Sequence, residues 1–275
     1  MTYDLIISVV LYRNPKEEIN TLLRSFHGSK LNYRLILIDN DPGAIDFNFQ
    51  ELPPRVDYLA SQENLGYGKG HNLVINNSNY QSKYHLIANA DIEFSAPILE
   101  SIFQHLEASP GVALLMPKII YPSGEDQGLR KLLPSPADLF LRRFLPGALK
   151  GLFKKMEDRY QLRSFQPAKA MLVPVLSGCF MFCRKSALQA CKGFDPRYFL
   201  YMEDVDLSRR LNEQGDNLYW PEVSVIHHYQ KDSYSSGRNL KLHLRSAIQY
   251  FNKYGWIWDQ HRREVNRKAL NQKQT

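Results

Sequence analysis

Cysteine is scarce in this chain. Its three copies, Cys179, Cys183 and Cys191, lie close together with no partners elsewhere. An odd, clustered set does not make a disulfide framework, and Cys179 with Cys183 alone supplies too few ligands for a metal site. The pattern fits free, buried thiols in a reducing compartment. Long apolar runs are also missing. The nearest to one, Met171 to Cys183, is broken by Pro174 and by Ser177-Gly178, so nothing here spans a bilayer as a helix. Met1 leads into an apolar strand and not into a basic stretch, which speaks against a secretory leader. The expected location is the cytoplasm. Internal repeats, low-complexity tracts and nucleic-acid-binding motifs are absent too, so no nucleic-acid partner is expected.

What is present is an ordinary globular composition: 275 residues, 44% hydrophobic and 23% charged, enough to bury a real core. The net charge of +7 is uneven. Residues 130–163 hold nine Lys/Arg against three Asp/Glu, and residues 238–275 hold nine against two. Such clustering suits an anionic surface. Within the first cluster, "LFLRRFLPGALKGLFKK" (139–155) mixes Phe140, Leu141, Phe144 and Leu145 with Arg142, Arg143, Lys150, Lys154 and Lys155. It reads either as an amphipathic lid packed on the domain or as a helix lying on a membrane surface. Pro146-Gly147 speaks against a single long helix.

The first half alternates. Residues 4–12, 33–40, 56–61, 84–89 and 111–121 read as strands. Helical spacing follows Pro15, with Ile19, Leu22, Leu23 and Phe26 on one face, and returns in 68–78 and from Pro97 to Leu106. Strands alternating with helices predict a doubly wound, mostly parallel sheet, with ligands bound beyond the carboxyl ends of the strands. Tyr12, Asp39 and Asp91 all fall there. Residues 122–170 break the pattern with five prolines. Residues 175–260 return to ordered structure, including a helix after "YMED" and a basic amphipathic helix ended by Gly255.

Four clusters carry candidate chemistry. "LIANADIEFS" (86–95) ends a buried strand in Asn89-Ala90-Asp91, with Glu93 two residues on. Carboxylates spaced i, i+2 share one side of an extended chain, which can hold a divalent metal or simply end a strand. "NLGYGKGHN" (64–72) is a Gly-rich turn into a helix. It is either a tight connection or a place where backbone, Lys69 and Asn72 approach a nucleotide phosphate. "YMEDVDLSRRL" holds Glu203, Asp204 and Asp206, which can act chemically, favour the helix dipole, or pair with Arg209 and Arg210. His227-His228 ends a strand, and only one of two adjacent residues can face a given site.

Taken together, "ISVVLYRN", "LIDND", "NLGYGKGHN", "LIANAD", "SGCFMFCRKSAL", "GFDPRYFLYMEDVDLSRRLNEQG" and "VIHHYQKDS" resemble family 2 glycosyltransferases. The likeness is to the rhamnosyltransferase-like branch that builds bacterial surface polysaccharides, and it covers about residues 4 to 255. The resemblance implies an α/β GT-A fold, a nucleotide-diphospho-sugar transferase with a basic amphipathic insertion and C-terminal helices. It divides the chain into a nucleotide-sugar-binding half (1–122), the insertion (123–170), an acceptor and catalytic half of the same domain (171–236) and a basic helical region (237–275).

The resemblance also implies roles. Asp39 reads the nucleotide base, with Tyr12 beside it and Asn64, Gly66, Lys69, Asn72 and Asn89 around the sugar nucleotide. Asp91 is the metal-binding acid of a D-x-D motif whose first position here is Asn89. His228 is the expected further metal ligand, with His227 as the alternative. Asp204 is the catalytic base, Glu203 helps to place it, and Asp206 is structural. The implied activity is inverting transfer of a sugar with Mg²⁺ or Mn²⁺, the first donor being dTDP-rhamnose. UDP-galactose, UDP-N-acetylglucosamine and UDP-glucose are the alternatives. The implied acceptor is a glycan or polyprenyl-diphosphate-linked glycan in O-antigen or related synthesis, reached by a protein peripheral to the inner face of the cytoplasmic membrane. Two rivals remain at this stage. A nucleotidyltransferase would not need the acidic pair and the later histidine, and a catalytically inactive sugar-nucleotide-binding protein would follow from the amide at Asn89.

Overall fold

The structure, a computed structural model, describes residues 2–139, 150–163, 165, 169–229 and 237–272. Aliphatic strands and amphipathic helices alternate from the first residues. Strand β1 (Tyr3–Leu11) is followed by α1 (Lys16–Ser25), β2 (Tyr33–Asp39), β3 (Val56–Ala60), α2 (Tyr67–Ile75), β4 (Ser82–Ala88), β5 (Ile92–Glu93), α3 (Pro97–Glu107) and β6 (Val112–Ile120). Then come β7 (Arg130–Lys131), α4 (Lys150–Tyr160), β8 (Met171–Leu172), β9 (Val175–Leu176), β10 (Phe180–Arg184), α5 (Lys185–Ala190), α6 (Glu203–Leu211), β11 (Asp216–His227), α7 (Gly237–Tyr254) and α8 (Gln260–Leu270).

One mixed sheet runs β3-β2-β1-β4-β10-β6-β11-β5, with β8 also on β11. β3, β2, β1 and β4 are parallel, as are β6 and β11, while β10 is antiparallel to both β4 and β6. The period-2 geometry of a strand sorts the aliphatic residues to two faces. Leu5, Ile7 and Val9 of β1 join Leu35 and Leu37 of β2 in the main core, while Ile6, Ile36 and Ile38 pack under Val74 of α2 on the other face. Such double-sided burial is why these strands read as continuous aliphatic runs.

The first half and the later strands share this sheet, because β10 inserts between β4 and β6 and β11 lies beside β6. The register of β11 on β6 shifts between Trp220 and Ser224, around Pro221. Proline cannot donate to a ladder and sits where one is interrupted. Beyond the irregularity β11 continues to β5, pairing His227 with Ile92 and Ile226 with Glu93.

Helix α2 stops at Ile75, short of the expected 78. The Asn77 side chain accepts from the Asn79 backbone N–H, a local turn that competes with the helix. The expected insertion is tied to the sheet at its start. β7 pairs with β9 in a separate two-stranded sheet, and Arg130 is buried over the ring of Tyr219 in β11 of the main sheet. Residues 140–149 of the amphipathic segment and Gln230–Ser233 of the last quoted motif lie outside the described residues. All three cysteines are free, with Cys179 and Cys183 buried. Among the described residues no helix is long and apolar enough to cross a membrane.

Candidate active site

The carboxyl ends of β1, β2 and β4 lie side by side, because Leu11 is in register with Asp39 and Val9 with Ala88. Tyr12, Asp39 and Asn89 therefore share one edge. Asp39 is fully buried. Its Oδ2 accepts from the Tyr58 hydroxyl at 2.8 Å, and its Oδ1 accepts from the Asp41 N–H at 2.9 Å. Burial first, then Asp39, pushes the Tyr58 phenol up to about 12. Tyr58 thus stays a hydrogen-bond donor beside the buried acid. Tyr12 is 44% exposed at the rim.

The Gly-rich turn is explained by packing. Gly66 has φ +77°, and a Cβ there would lie 2.2 Å from the Phe199 carbonyl oxygen, so both conformation and space demand glycine. The Asn64 side chain accepts from the Gly66 N–H at 2.9 Å, and Lys69 is exposed on the first turn of α2. The Asn72 Nδ2 donates to the Phe194 carbonyl and its Oδ1 accepts from the Phe194 N–H, both at 2.8 Å. Both ends of its amide are engaged in pinning α2 to the loop before α6.

Beyond β4 the chain reaches Asn89 and Asp91 and returns as β5. Pairing of β5 with the end of β11 places the two histidines on different carboxylates. His227, buried, puts Nε2 3.2 Å from Asp91 Oδ1. His228 Nε2 lies 2.8 Å from Glu93 Oε2, and only the His228 backbone N–H reaches Asp91, at its carbonyl oxygen. The first-choice metal ligand was His228; the geometry brings its neighbour to the acid instead, because consecutive strand residues face opposite ways.

Gln127 fixes the His227 ring. Its Nε2 donates to the carbonyls of His227 (2.8 Å) and Ile120 (3.3 Å), so its Oε1 must accept from His227 Nδ1–H at 2.9 Å. That leaves Nε2 aimed at Asp91, with the Asn89 amide 3.3 Å away. Burial alone would raise the Asp91 carboxyl. Contact with His227, with its own backbone and with Asn89 outweighs this and holds it below its ordinary value. A proton on Nε2, or a cation between ring and carboxylate, would satisfy this 3.2 Å contact. Gln127 carried no sequence signal, since it lies 100 residues from its partner.

The second acidic cluster opens α6. Tyr201 and Met202 both have left-handed φ, 70° and 66°, a conformation that strains non-glycine residues. They turn the chain sharply into α6. Asp204, in the first turn, accepts from Gly178 N–H at 3.2 Å and from Val205 N–H at 2.8 Å. Glu203 is buried, and burial together with the adjacent Asp204 raises its carboxyl. Asp206 points away, buried against Lys253, Tyr254 and Arg210, the structural role expected of it.

Two groups between the clusters register both. Cys179 is pushed up to about 12 by burial, opposed by Ser177 and reinforced by Asp91 and Asp204. Tyr67, whose hydroxyl donates to the Gly178 carbonyl at 2.6 Å, is raised by burial and then by Cys179, Glu203, Asp204 and Asp91. The two acids are linked through Gly178-Cys179: Asn89 N–H donates to the Cys179 carbonyl at 3.0 Å and Gly178 N–H to Asp204, one acid having a histidine and an amide beside it, the other backbone N–H groups.

Comparison with known proteins follows the same lines. The sequence profile described as "Glycosyl transferase family 2" matches residues 7–191. An N-acetylglucosaminyl-diphospho-decaprenol L-rhamnosyltransferase of Mycobacterium tuberculosis is 28% identical over 220 residues, 76% of this chain and 68% of that one. Rhamnosyltransferase WbbL of Escherichia coli K12 is 27% identical over 261 residues, 91% and 92% of the two chains. Among solved structures, S. aureus TarS 1–349 in complex with UDP superposes with TM-score 0.59 at 12% identity, over 98% of this chain and 71% of that one. Mannosyltransferase PcManGT of Pyrobaculum calidifontis, in complex with GDP-Man and Mn2+, gives 0.57 at 15% identity, over 98% and 74%. At these identities the structures establish the fold, which is GT-A.

Proposed function

Because this chain belongs to glycosyl transferase family 2, we propose that it is an inverting, metal-dependent glycosyltransferase that moves rhamnose from dTDP-rhamnose to a lipid-linked glycan. The carrying observation is that Asp204, held by Gly178 N–H, and the cluster of Asn89, Asp91 and His227, whose Asn89 N–H donates to the Cys179 carbonyl, are joined through adjacent residues at the carboxyl edge of the sheet. Rhamnose is chosen because both curated relatives are named for its transfer, and the lipid-linked acceptor because one of them is named for a diphospho-decaprenol substrate. Such an acceptor brings the enzyme to the cytoplasmic face of a membrane, in assembly of O-antigen or a related surface polysaccharide.

The donor set suits a cation shared with a diphosphate. Among the described residues no group of three or more His, Cys, Asp or Glu is placed to hold a metal by itself. Asp91 offers a carboxylate, His227 an aimed nitrogen and Asn89 an amide; the remaining positions suit phosphate oxygens. Mg²⁺ or Mn²⁺ held there would neutralise charge developing on the leaving nucleoside diphosphate. Tyr12, Asp39 with Tyr58, Asn64, Gly66 and Lys69 line the route for the nucleotide.

Asp204 is the base. Its carboxylate takes the proton of the acceptor hydroxyl as that oxygen bonds to the anomeric carbon. The bond from that carbon to the phosphate oxygen breaks, and its electron pair leaves with the nucleoside diphosphate. Gly178 N–H orients the carboxylate. Glu203, its carboxyl raised, stays protonated more readily than an ordinary glutamate and so reduces repulsion next to Asp204. One base opposite the leaving group gives a single displacement with inversion.

The test is release of nucleoside diphosphate from a panel of sugar nucleotides, with Mg²⁺ or Mn²⁺ and then with chelator. Release from one donor, faster with a lipid-linked glycan and lost with chelator, is expected. Silence across the panel with folded protein and acceptor lipid would overturn the reading.

A further inference from the structure

Helices α7 and α8 meet at a corner, Trp256-Ile257-Trp258, where large apolar side chains stand in solvent: Ile257 is 70% and Trp258 77% exposed. Most large hydrophobic residues elsewhere among the described residues are covered. Lys241, Arg245, Ile248 and Asn252 of α7 are also exposed, and their spacing of four, three and four residues puts them on one helical stripe. The stripe leads to the corner, where the Trp256 indole N–H donates to Asn252 Oδ1 at 2.8 Å. Helix α7 contains no Asp or Glu. Beyond the corner Arg263 lies over the Trp258 ring at 4.9 Å, and Arg267 and Lys268 are exposed. The acids nearby are Asp259, buried on Arg209, exposed Glu264, and Asp216, 3.4 Å from the Lys268 ammonium.

We propose that this face, the α7 stripe with the Trp256-Ile257-Trp258 corner, seats the protein on an anionic phospholipid bilayer. Indole rings favour the boundary between headgroups and acyl chains, where one end is apolar and the other wet. Lys and Arg beside them meet anionic headgroups. The surplus of positive charge selects an anionic lipid surface over a second copy of this equally basic chain. Leu139 packs on the cluster holding Tyr250 and Phe251.

The corner is also fixed to the site. Next to Trp258, Asp259 accepts from both terminal nitrogens of Arg209 at 2.6 and 2.8 Å, with the guanidinium over the Tyr254 ring. Arg209 lies five residues from Asp204, about 7.5 Å of helix rise. A bilayer bound at the corner would stand in a set relation to the base. This part of the inference rests on the transferase reading; the docking itself does not.

The test uses the full chain and vesicles of phosphatidylcholine with or without phosphatidylglycerol. Binding at least about tenfold tighter to anionic vesicles, weakened in ~1 M salt, is expected. Brominated lipid should quench tryptophan emission of the unaltered chain, since Trp220 is buried. Ile257→Ser with Trp258→Ser should weaken binding about tenfold or more, and Lys241→Glu with Arg245→Glu should remove the preference for anionic lipid. Absence of vesicle binding, or equal binding by all three proteins, would overturn the proposal. So would a dimer in light scattering that the Ile257/Trp258 variant dissolves while vesicles stay unbound. Acceptor-free nucleoside diphosphate release, run in parallel, should be unchanged in both variants. Its absence from every form would sink the transferase reading and leave the docking result standing.

Discussion

Asp204 and His227 would owe their proposed roles to neighbours. Gly178 N–H and Val205 N–H hold the Asp204 carboxylate, so an isosteric amide keeps the shape and loses the base. Asp204→Asn should retain donor binding and lower turnover about 10²–10⁴-fold, read as kcat beside a donor-binding isotherm. Retained turnover would remove Asp204 from the mechanism. The ring of His227 is aimed by Gln127, whose replacement by Leu leaves Nδ1–H without its acceptor. Gln127→Leu should raise the Mn²⁺ concentration needed for half activity about 10–100-fold with less effect at saturating metal. His227→Ala should act in the same direction and more strongly. His228→Ala, which breaks a half-exposed contact with Glu93, should leave the metal dependence nearly unchanged; the reverse order would restore His228 as the ligand.

Helix α6 carries the proposed base on one side and anchorage on the other. Its first turn presents Asp204 to the site, while Asp206 and Arg209 bind the C-terminal helices through Lys253, Tyr254 and Asp259. The Arg209–Asp259 pair is buried, 5% and 2% exposed at the side chains. Removing one member leaves the other charge buried, so Arg209→Ala should destabilise the protein by about 3–5 kcal/mol in urea unfolding. Replacing both with apolar residues should cost much less. The left-handed pair Tyr201-Met202 is the strain that lets α6 start where it does.

Across the whole molecule, acid sensitivity has a source beneath the site. Ser8 Oγ lies 2.7 Å from His71 Nδ1 and 2.8 Å from His85 Nε2, all three fully buried between β1, β4 and α2. Burial lowers His71 to about 3 and His85 well below its ordinary value, helped there by Lys185 and His71. The folded state thus holds these rings neutral while the unfolded chain protonates them near pH 6.5. Their contribution is complete above about pH 6.5 and is lost as pH falls towards 3. From pH 7 to pH 5 His71 alone should cost about 2 kcal/mol, visible as a falling urea midpoint. A midpoint flat over that range would show that the rings are already protonated in the fold.

The amino-acid pattern alone determined what depends on neighbours in the chain. Double-sided aliphatic strands, helical spacing after Pro15 and the acids at strand ends announced the sheet and its reactive edge, because burial of period-2 and period-3.6 faces is a local constraint. It also supplied the motifs of the family and the structural fate of Asp206. Contacts that depend on how distant strands meet were decided only by the tertiary structure. Which of His227 and His228 meets Asp91 depends on the β5–β11 register. Gln127 enters the site because the chain after β6 passes under β11. Asn72, equally suited by type to a ligand or to a backbone tie, became the tie because Phe194 lies across α2. A side chain's chemistry is local, but its partner is chosen by packing between segments far apart in sequence.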